Sequence, residues 1–437
     1  MCIRLIEKFL FRRFTKPATY NLKRIDTAIQ LINYNMNKQS VAQKAKAHMQ
    51  VLCSEIGERR VGSEANRQST AYAEKVLKHF GWPTETTLLS VIDWHTDGAT
   101  LTSRGKSFEV FSSHYSPGLT EEGELIAISS VEELEQASIR DKIVLLHGPI
   151  ASEQIAPKNF PFWNPDGHQY LIALLEKGEP KALVCATERN AAVAGGVYPF
   201  PMFEDGDFDI PSVFMKDTEG ERLLTEVGQT VKLVSQAERI PETAYNVVAG
   251  TTTGKRIVIT AHIDTKIGTP GAIDNGTGVT IVLLLAELLA ETSHSYPIEL
   301  VVFNGEDYYG APGQVKYIEQ NEGRFSDILL NINIDGAGYH EGPSCFSPFG
   351  LTGDMQAALQ EIIATSPEIV EGLPWYQGDH SVFLQQGCAA IAVSSHWFIE
   401  HMEGQEITHT PKDNLGIVDY ERVAECAMGI AGFISKL

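Results

Sequence analysis

Two histidines and four carboxylates carry the chemistry this sequence can do: His262, Asp274, Glu306, Asp307, Asp335 and His409, in that order through the C-terminal half. Neutral imidazoles and carboxylates together suit divalent metals such as zinc, cobalt or manganese. One carboxylate beyond what the metals need would leave a base to activate water. Three short strings hold most of the set: Ala261-His262-Ile263-Asp264, Ile273-Asp274-Asn275-Gly276-Thr277-Gly278 and Gly305-Glu306-Asp307. A single aspartate of this kind, Asp274 for instance, reads equally well as a helix N-cap. The joint arrangement is what gives it weight.

The elements expected around these residues alternate. Residues 256–261, 298–304, 328–334 and 389–394 read as buried strands, and 277–291 and 419–436 as helices, the last with Val423, Cys426, Ile430 and Phe433 on its inner face. Strands alternating with helices imply an α/β fold, a mixed, mostly parallel sheet flanked by helices. His262, the Glu306-Asp307 pair and Asp335 each directly follow such a strand, and ligands in open α/β sheets bind beyond the carboxyl ends of the strands. Asp264 lies two residues from His262, on the same side of an extended chain, and is expected to orient the imidazole through its carboxylate.

Upstream, residues 36–80 read as helical, with Tyr72, Val76 and Phe80 on one face. Residues 96–240 change texture to short strands and proline-punctuated loops, with a helical stretch near residues 168–177, so they are expected to form an inserted, smaller, β-rich domain. The expected division is therefore a basic extension (1–35), the N-terminal part of the main domain (36–95), the insert (96–240) and the main domain proper (241–437). Length permits this, because 437 residues are enough for two sizeable cores.

A net charge of −21 argues against nucleic acid as a partner. Residues 1–35 depart from that balance, with seven Lys/Arg against Glu7 and Asp26. They read as a poorly ordered extension upstream of Met36 or as a basic amphipathic helix on a membrane surface. Their longest uncharged apolar run, Phe9-Leu10-Phe11, is too short for a secretory h-region. No transmembrane span is expected, since the most apolar stretch, 279–290, contains Glu287 and reads as a core helix. Six scattered cysteines without a Cys-x-x-Cys pair point to a reducing, cytoplasmic setting.

Taken in order, His-x-Asp, Asp-Asn-Gly-x-Gly, an acidic pair after a strand, Asn-x-Asp and His-Thr-x-x-Asp resemble the di-zinc aminopeptidases of peptidase clan MH, family 28, over residues 246–437 and more weakly over 40–82. The resemblance implies a zinc-exopeptidase-like fold with two zinc ions per chain, cobalt or manganese being substitutes. It places Asp274 between the ions, His262 and Asp335 on one, Asp307 and His409 on the other, and Glu306 as general base acting on small peptides. The adjacent pair is Glu-Asp here where many relatives have Glu-Glu, so the ligand Asp307 is one methylene shorter. A Ser-Asp-His string common in the family reads Gly378-Asp379-His380, with Asp379 and His380 as pocket or supporting groups. His396 and His401 compete with His409 on sequence proximity alone. The middle region resembles a protease-associated domain through 141–146, 182–186 and 210–213. A carboxypeptidase, a glutaminyl cyclase with a single zinc, or a non-catalytic receptor on the same fold are the alternative readings. A carboxypeptidase would need a cation for the substrate carboxylate, for which Lys266, Lys316 and Lys412 are the nearest in sequence.

Overall fold

The computed structural model describes residues 37–290, 292 and 294–437; the basic segment 1–35, with both of its expected readings, lies outside them. Helix 37–50 runs into a π-turn, Val51–Ile56. The next helix, Glu64–His79, starts at Ser63, whose side chain accepts from the Asn66 amide, and ends with Lys78 and His79 near its negative pole. Ala73 and Leu77 form its fully buried seam, while Tyr72, Val76 and Phe80 pack beside it, half-buried.

Among the described residues fourteen strands form one hydrogen-bonded sheet, twelve of them in a continuous path and two branching from it. Strand β1 (Thr84–Ser103) leads into β2 (Lys106–Phe108), β3 (Phe111–Ser112), β4 (Leu119–Ile128), β5 (Ile143–Leu146), β6 (Ala182–Thr187) and β7 (Ser212–Lys216), and β8 (Thr230–Gly250) returns. The C-terminal half supplies β9 (Arg256–His262), β10 (Ile298–Phe303), β11 (Ile328–Ile334), β12 (Ser344–Phe349), β13 (Ile369–Glu371) and β14 (Ala390–Ser395). At its centre β14, β11, β9 and β10 are parallel, with β12 and β8 antiparallel at the flanks, so the sheet is mixed and mostly parallel as expected. Parallel strands buried on both faces need continuous apolar runs. Every residue of β9, β10 and β14 is buried.

Helix Thr277–Ala290 is apolar nearly all round because it lies inside the protein. With the preceding turn it is the one stretch, among the described residues, long and apolar enough to cross a membrane by composition; its most apolar window is 83% buried in the core. The terminal helix Tyr420–Ile434 packs against it with Val423, Cys426, Ile430 and Phe433 buried.

Strands β1 and β8 pair antiparallel from Thr84 opposite Ala249 to Thr102 opposite Lys232, with a register shift between Thr96 and Gly98. Residues 96 and 240 both fall inside this ladder, so the inserted region is joined to the main sheet by unbroken strands. One end of β8 pairs with β10 and the other with β4. Beyond it, β4, β5, β6 and β7 are parallel and carry helices Val131–Gln136, Asp166–Gly178 and Asp217–Leu224. The insert thus has the expected helical stretch near residues 168–177, within Asp166–Gly178, and further helices beside its strands.

Arg59 holds the N-terminal helices to the loop that follows β9. It is completely buried, and its guanidinium donates to the carbonyls of Ile263 (2.8 Å), Pro270 (2.8 Å) and Gly271 (2.8 Å), as well as to Leu52 and Gly57. Its own amide donates to Thr265 Oγ1 at 2.9 Å. Removing a buried donor set leaves several carbonyls unsatisfied, each costly. Arg59→Met is therefore expected to lower unfolding free energy by about 3 kcal/mol or more, read as a lower urea midpoint.

Candidate metal centre and its cavities

All six residues gather at the carboxyl edge of the parallel strands. His262 ends β9, Glu306 and Asp307 follow β10, and Asp335 follows β11. Asp274 sits in the turn before helix Thr277–Ala290, and His409 in the loop after helix His396–Glu400, in the left-handed region at φ 63°. Asp274 stands between two groups: its Oδ1 is 3.2 Å from His262 Nε2, and its Oδ2 is 3.1 Å from His409 Nε2. Asp335 Oδ1 is 3.6 Å from His262 Nε2, and Asp307 Oδ1 is 3.3 Å from His409 Nε2. The result is two imidazole–carboxylate pairs sharing one carboxylate. His262, Asp274 and Asp307 offer ligand atoms that all lie within 4.8 Å of one another.

The buried polar atoms fit a bound cation. His262 Nε2 and Asp307 Oδ2 are buried and lack a hydrogen-bond partner. His262 Nδ1 lies 3.2 Å from the carbonyl oxygen of Asp264. A carbonyl only accepts, so that nitrogen carries the proton and the Nε2 lone pair points into the site. Asp264 faces the ring with both its carbonyl and its carboxylate, the latter 3.7 Å from Nδ1 and among the groups that raise the imidazole's proton affinity. The carboxylate also accepts the amides of Gly305 (2.7 Å), Glu306 (3.3 Å) and Asp307 (2.9 Å). It thereby fixes the turn that delivers Glu306 and Asp307.

A second anchor comes from Asp413, absent from the expected site although it ends the His-Thr-x-x-Asp string. Its carboxylate oxygens accept the amides of Ile273 (2.7 Å) and Asp274 (3.0 Å). Asn275 completes the turn by donating to the carbonyl of Ile334 at 2.8 Å. A Cβ on Gly278 would stand 2.2 Å from Asn275 Oδ1, so the second glycine of Asp-Asn-Gly-x-Gly is a space requirement. Gly305, at φ +116°, lets β10 turn sharply into Glu306.

Asp379 is buried and accepts from Gln314 Nε2 at 2.7 Å. His380 directs Nε2 to the Trp375 carbonyl at 2.8 Å. Both support the cavity wall, and Gly378 before them passes close to Asp335 and Trp375. His396 pairs with Glu400, while His401 stacks on Trp397; neither joins the cluster. Trp375 and Tyr376 line cavities, whereas Phe383 is in the core and Trp397 packs on Tyr339.

Two cavities open on the site. The smaller, about 190 Å³, is walled by Ile273, Trp375, Phe398, Ile399 and Met402 beside Asp274, Asp335 and His409. The larger, about 650 Å³, is roofed by Phe160, Phe162 and Trp163 of the insert. The insert also touches the His409 loop: Gly196 N donates to Thr408 O at 3.0 Å, and Arg189 pairs with Glu406 at 2.6 Å.

Electrostatics set the site's character. Burial lowers the proton affinity of His262 and His409, but the surrounding carboxylates overcome it and raise both well above the ordinary imidazole value. Asp274 is driven down because the two imidazoles outweigh its burial. Glu306 is pushed well up, first by burial and then by Asp307 and Asp335 against the pull of His262. Burial also raises Asp379 and Asp413 to about 7.

A mostly parallel, helix-flanked α/β sheet with two imidazole–carboxylate pairs around a shared aspartate defines the class: a candidate two-metal centre on an exopeptidase-like fold. Residues 246–434, which contain all six residues, match Peptidase family M28. The chain is 24% identical over 279 residues to aminopeptidase YwaD of Bacillus subtilis, covering 58% of this chain and 59% of that protein. It is 25% identical over 294 residues to the probable lipoprotein aminopeptidase LpqL of Mycobacterium tuberculosis, covering 64% and 55%. The chain thus spans little more than half the length of these relatives. Among solved structures, an aminopeptidase from Aneurinibacillus sp. strain AM-1 superposes with a TM-score of 0.69 at 19% identity, covering 91% of this chain and 94% of that one. BSAP, a zinc aminopeptidase from Bacillus subtilis, superposes at 0.68 with 18% identity, covering 90% and 94%. The shared fold includes the insert as well as the main sheet.

The raised carboxyls and imidazoles predict a pH effect in chelated protein. A carboxyl whose folded pKa exceeds its unfolded value binds its proton more tightly when folded, so stability is lost as pH rises through the folded value; the raised histidines act in the same direction. Melting temperature in chelator is expected to fall between about pH 5 and pH 8. Added zinc should flatten that slope.

Proposed function

We propose that this chain is a zinc-dependent aminopeptidase of the family 28 type, removing N-terminal residues from small peptides. The observation that carries the reading is the shared carboxylate of Asp274, with one oxygen turned to each imidazole at 3.2 and 3.1 Å. His262, Asp335 and one oxygen of Asp274 would hold one ion, and His409, Asp307 and the other oxygen a second. Such a pair supplies Lewis acidity, polarising the scissile carbonyl and acidifying water at neutral pH.

The remaining steps belong to the protein. Glu306 faces both cavities, where its carboxylate takes a proton from the attacking water and passes it to the departing amine nitrogen. Burial and the neighbouring carboxylates give it the proton affinity a base needs near neutral pH. The excess of negative groups favours a substrate with a cationic free amine over one with a terminal carboxylate beside the ligands. The smaller cavity, largely apolar, suits an aliphatic or aromatic first residue. The insert, in the role of a protease-associated-type cover, would restrict entry to short or flexible chains. Among the lysines weighed for a carboxypeptidase, Lys316 and Lys412 are tied to Glu319 and Glu406 at the surface. The five cysteines of the described residues are free and buried, which supports a reducing compartment as its place of work.

Metal analysis should find about two zinc ions per chain, and Asp274→Ala should lose both. Glu306→Gln should keep the metal and lower kcat by about 10²- to 10⁴-fold. Leucyl peptides with a free amine should be cleaved and their N-acetylated forms left intact. Equal cleavage of both forms would overturn the aminopeptidase reading in favour of a carboxypeptidase.

A further inference from the structure

The two cavities meet at Glu306, Gln377 and Gly378. On the aminopeptidase reading, on which the following rests, the smaller one beside Asp274 and His409 receives the N-terminal residue. The leaving fragment then has to occupy the larger one. Its described lining contains a single basic side chain, Lys266, from the loop after β9. Lys266 Nζ donates to Glu204 Oε1 of the insert at 3.1 Å, and this is its one hydrogen bond among the described residues. An ammonium has three donors. Two are left to face the cavity.

Glu204 is itself engaged elsewhere. Its other oxygen accepts from Gln154 Nε2 at 2.9 Å, and His114 Nδ1 lies 3.7 Å from Oε1. The carboxylates of Glu306 and Asp307 also act on Lys266, so its positive charge sits between the insert and the reacting centre. A plain tie between two parts of the chain would not require its ammonium to form part of a substrate-sized wall. At about 650 Å³ the cavity has the volume of a small-ligand site.

We propose that Lys266 is a specificity-determining residue that binds a carboxylate on the leaving fragment, making the enzyme selective for short peptides that carry one there. Two sources offer this chemistry: the C-terminal carboxylate of a dipeptide, or an acidic side chain at the second residue. The chemistry of hydrolysis is unchanged. The lysine adds a charge-assisted hydrogen bond to the part of the substrate that departs.

The test compares kcat/KM within each protein preparation for Leu-Ala against Leu-Ala-amide, and for Leu-Glu-amide against Leu-Gln-amide. Such a ratio does not depend on how much of a preparation is folded. In the zinc-loaded wild type at least one ratio should favour the carboxylate by about 10-fold or more, the size expected of one charge-assisted hydrogen bond. That ratio should collapse towards unity in Lys266→Met and persist in Lys266→Arg. Glu204→Gln, which frees the ammonium from its partner, should raise it. Both wild-type ratios near unity, a preference that survives Lys266→Met, or one that falls in Glu204→Gln would overturn the assignment while leaving the aminopeptidase reading intact. No cleavage of any of the four peptides would overturn both.

Discussion

Everything at the carboxyl edge of the sheet answers one electrostatic constraint: Asp274, Glu306, Asp307 and Asp335 are held together with two imidazoles and the nearby Lys266 ammonium to offset them. Buried or half-buried carboxylates at this density repel one another and lose hydration. The raised proton affinities of Glu306 and the histidines reflect that cost, which divalent cations would relieve. The surrounding fold is arranged to hold the groups in place regardless. Ligand-forming side chains are anchored through their backbone, so their oxygens and nitrogens remain free to point inward.

Two aspartates do most of this anchoring, and neither points into the centre. Asp264 gathers the amides of residues 305–307, and Asp413 gathers those of residues 273 and 274. Each therefore ties one part of the site to another that is remote in sequence. Arg59 does the same from the opposite charge, fixing the carbonyls of the segment between His262 and Asp274. Preorganisation of this kind matters because a metal ligand or base displaced by about an ångström loses much of its effect.

The insert belongs to the site as much as to the periphery. Strands β1 and β8 carry the chain out of the main sheet and back without a break, with Trp94, Tyr115 and Tyr308 packed at the junction. This places its aromatic wall over the larger cavity and Glu204 against Lys266. On the proposed reading, access and leaving-fragment recognition would thereby be coupled to a part of the chain that holds none of the six residues.

The amino-acid sequence by itself determined the α/β alternation, because strands buried on both faces must be apolar runs and the helix between them must be apolar too. It also marked the six residues, since groups at strand ends of parallel neighbours have to share an edge. What it left open were relations between distant residues. His409 could be told from His396 and His401 by its motif, yet only the folded chain shows the latter two held by Glu400 and Trp397. Asp264 reads from spacing as a partner of the imidazole ring, but nothing in the spacing shows that its carboxylate also gathers the turn after β10. Asp413 and Arg59 carry no periodic signal, because their partners are backbone groups brought near by folding. Lys266 looked like one of three equivalent lysines until the insert put Glu204 beside it. Local pattern records which side chains want burial or a metal; which backbone groups and charges they meet depends on the packing of segments far apart in the chain, and that was decided by the tertiary structure alone.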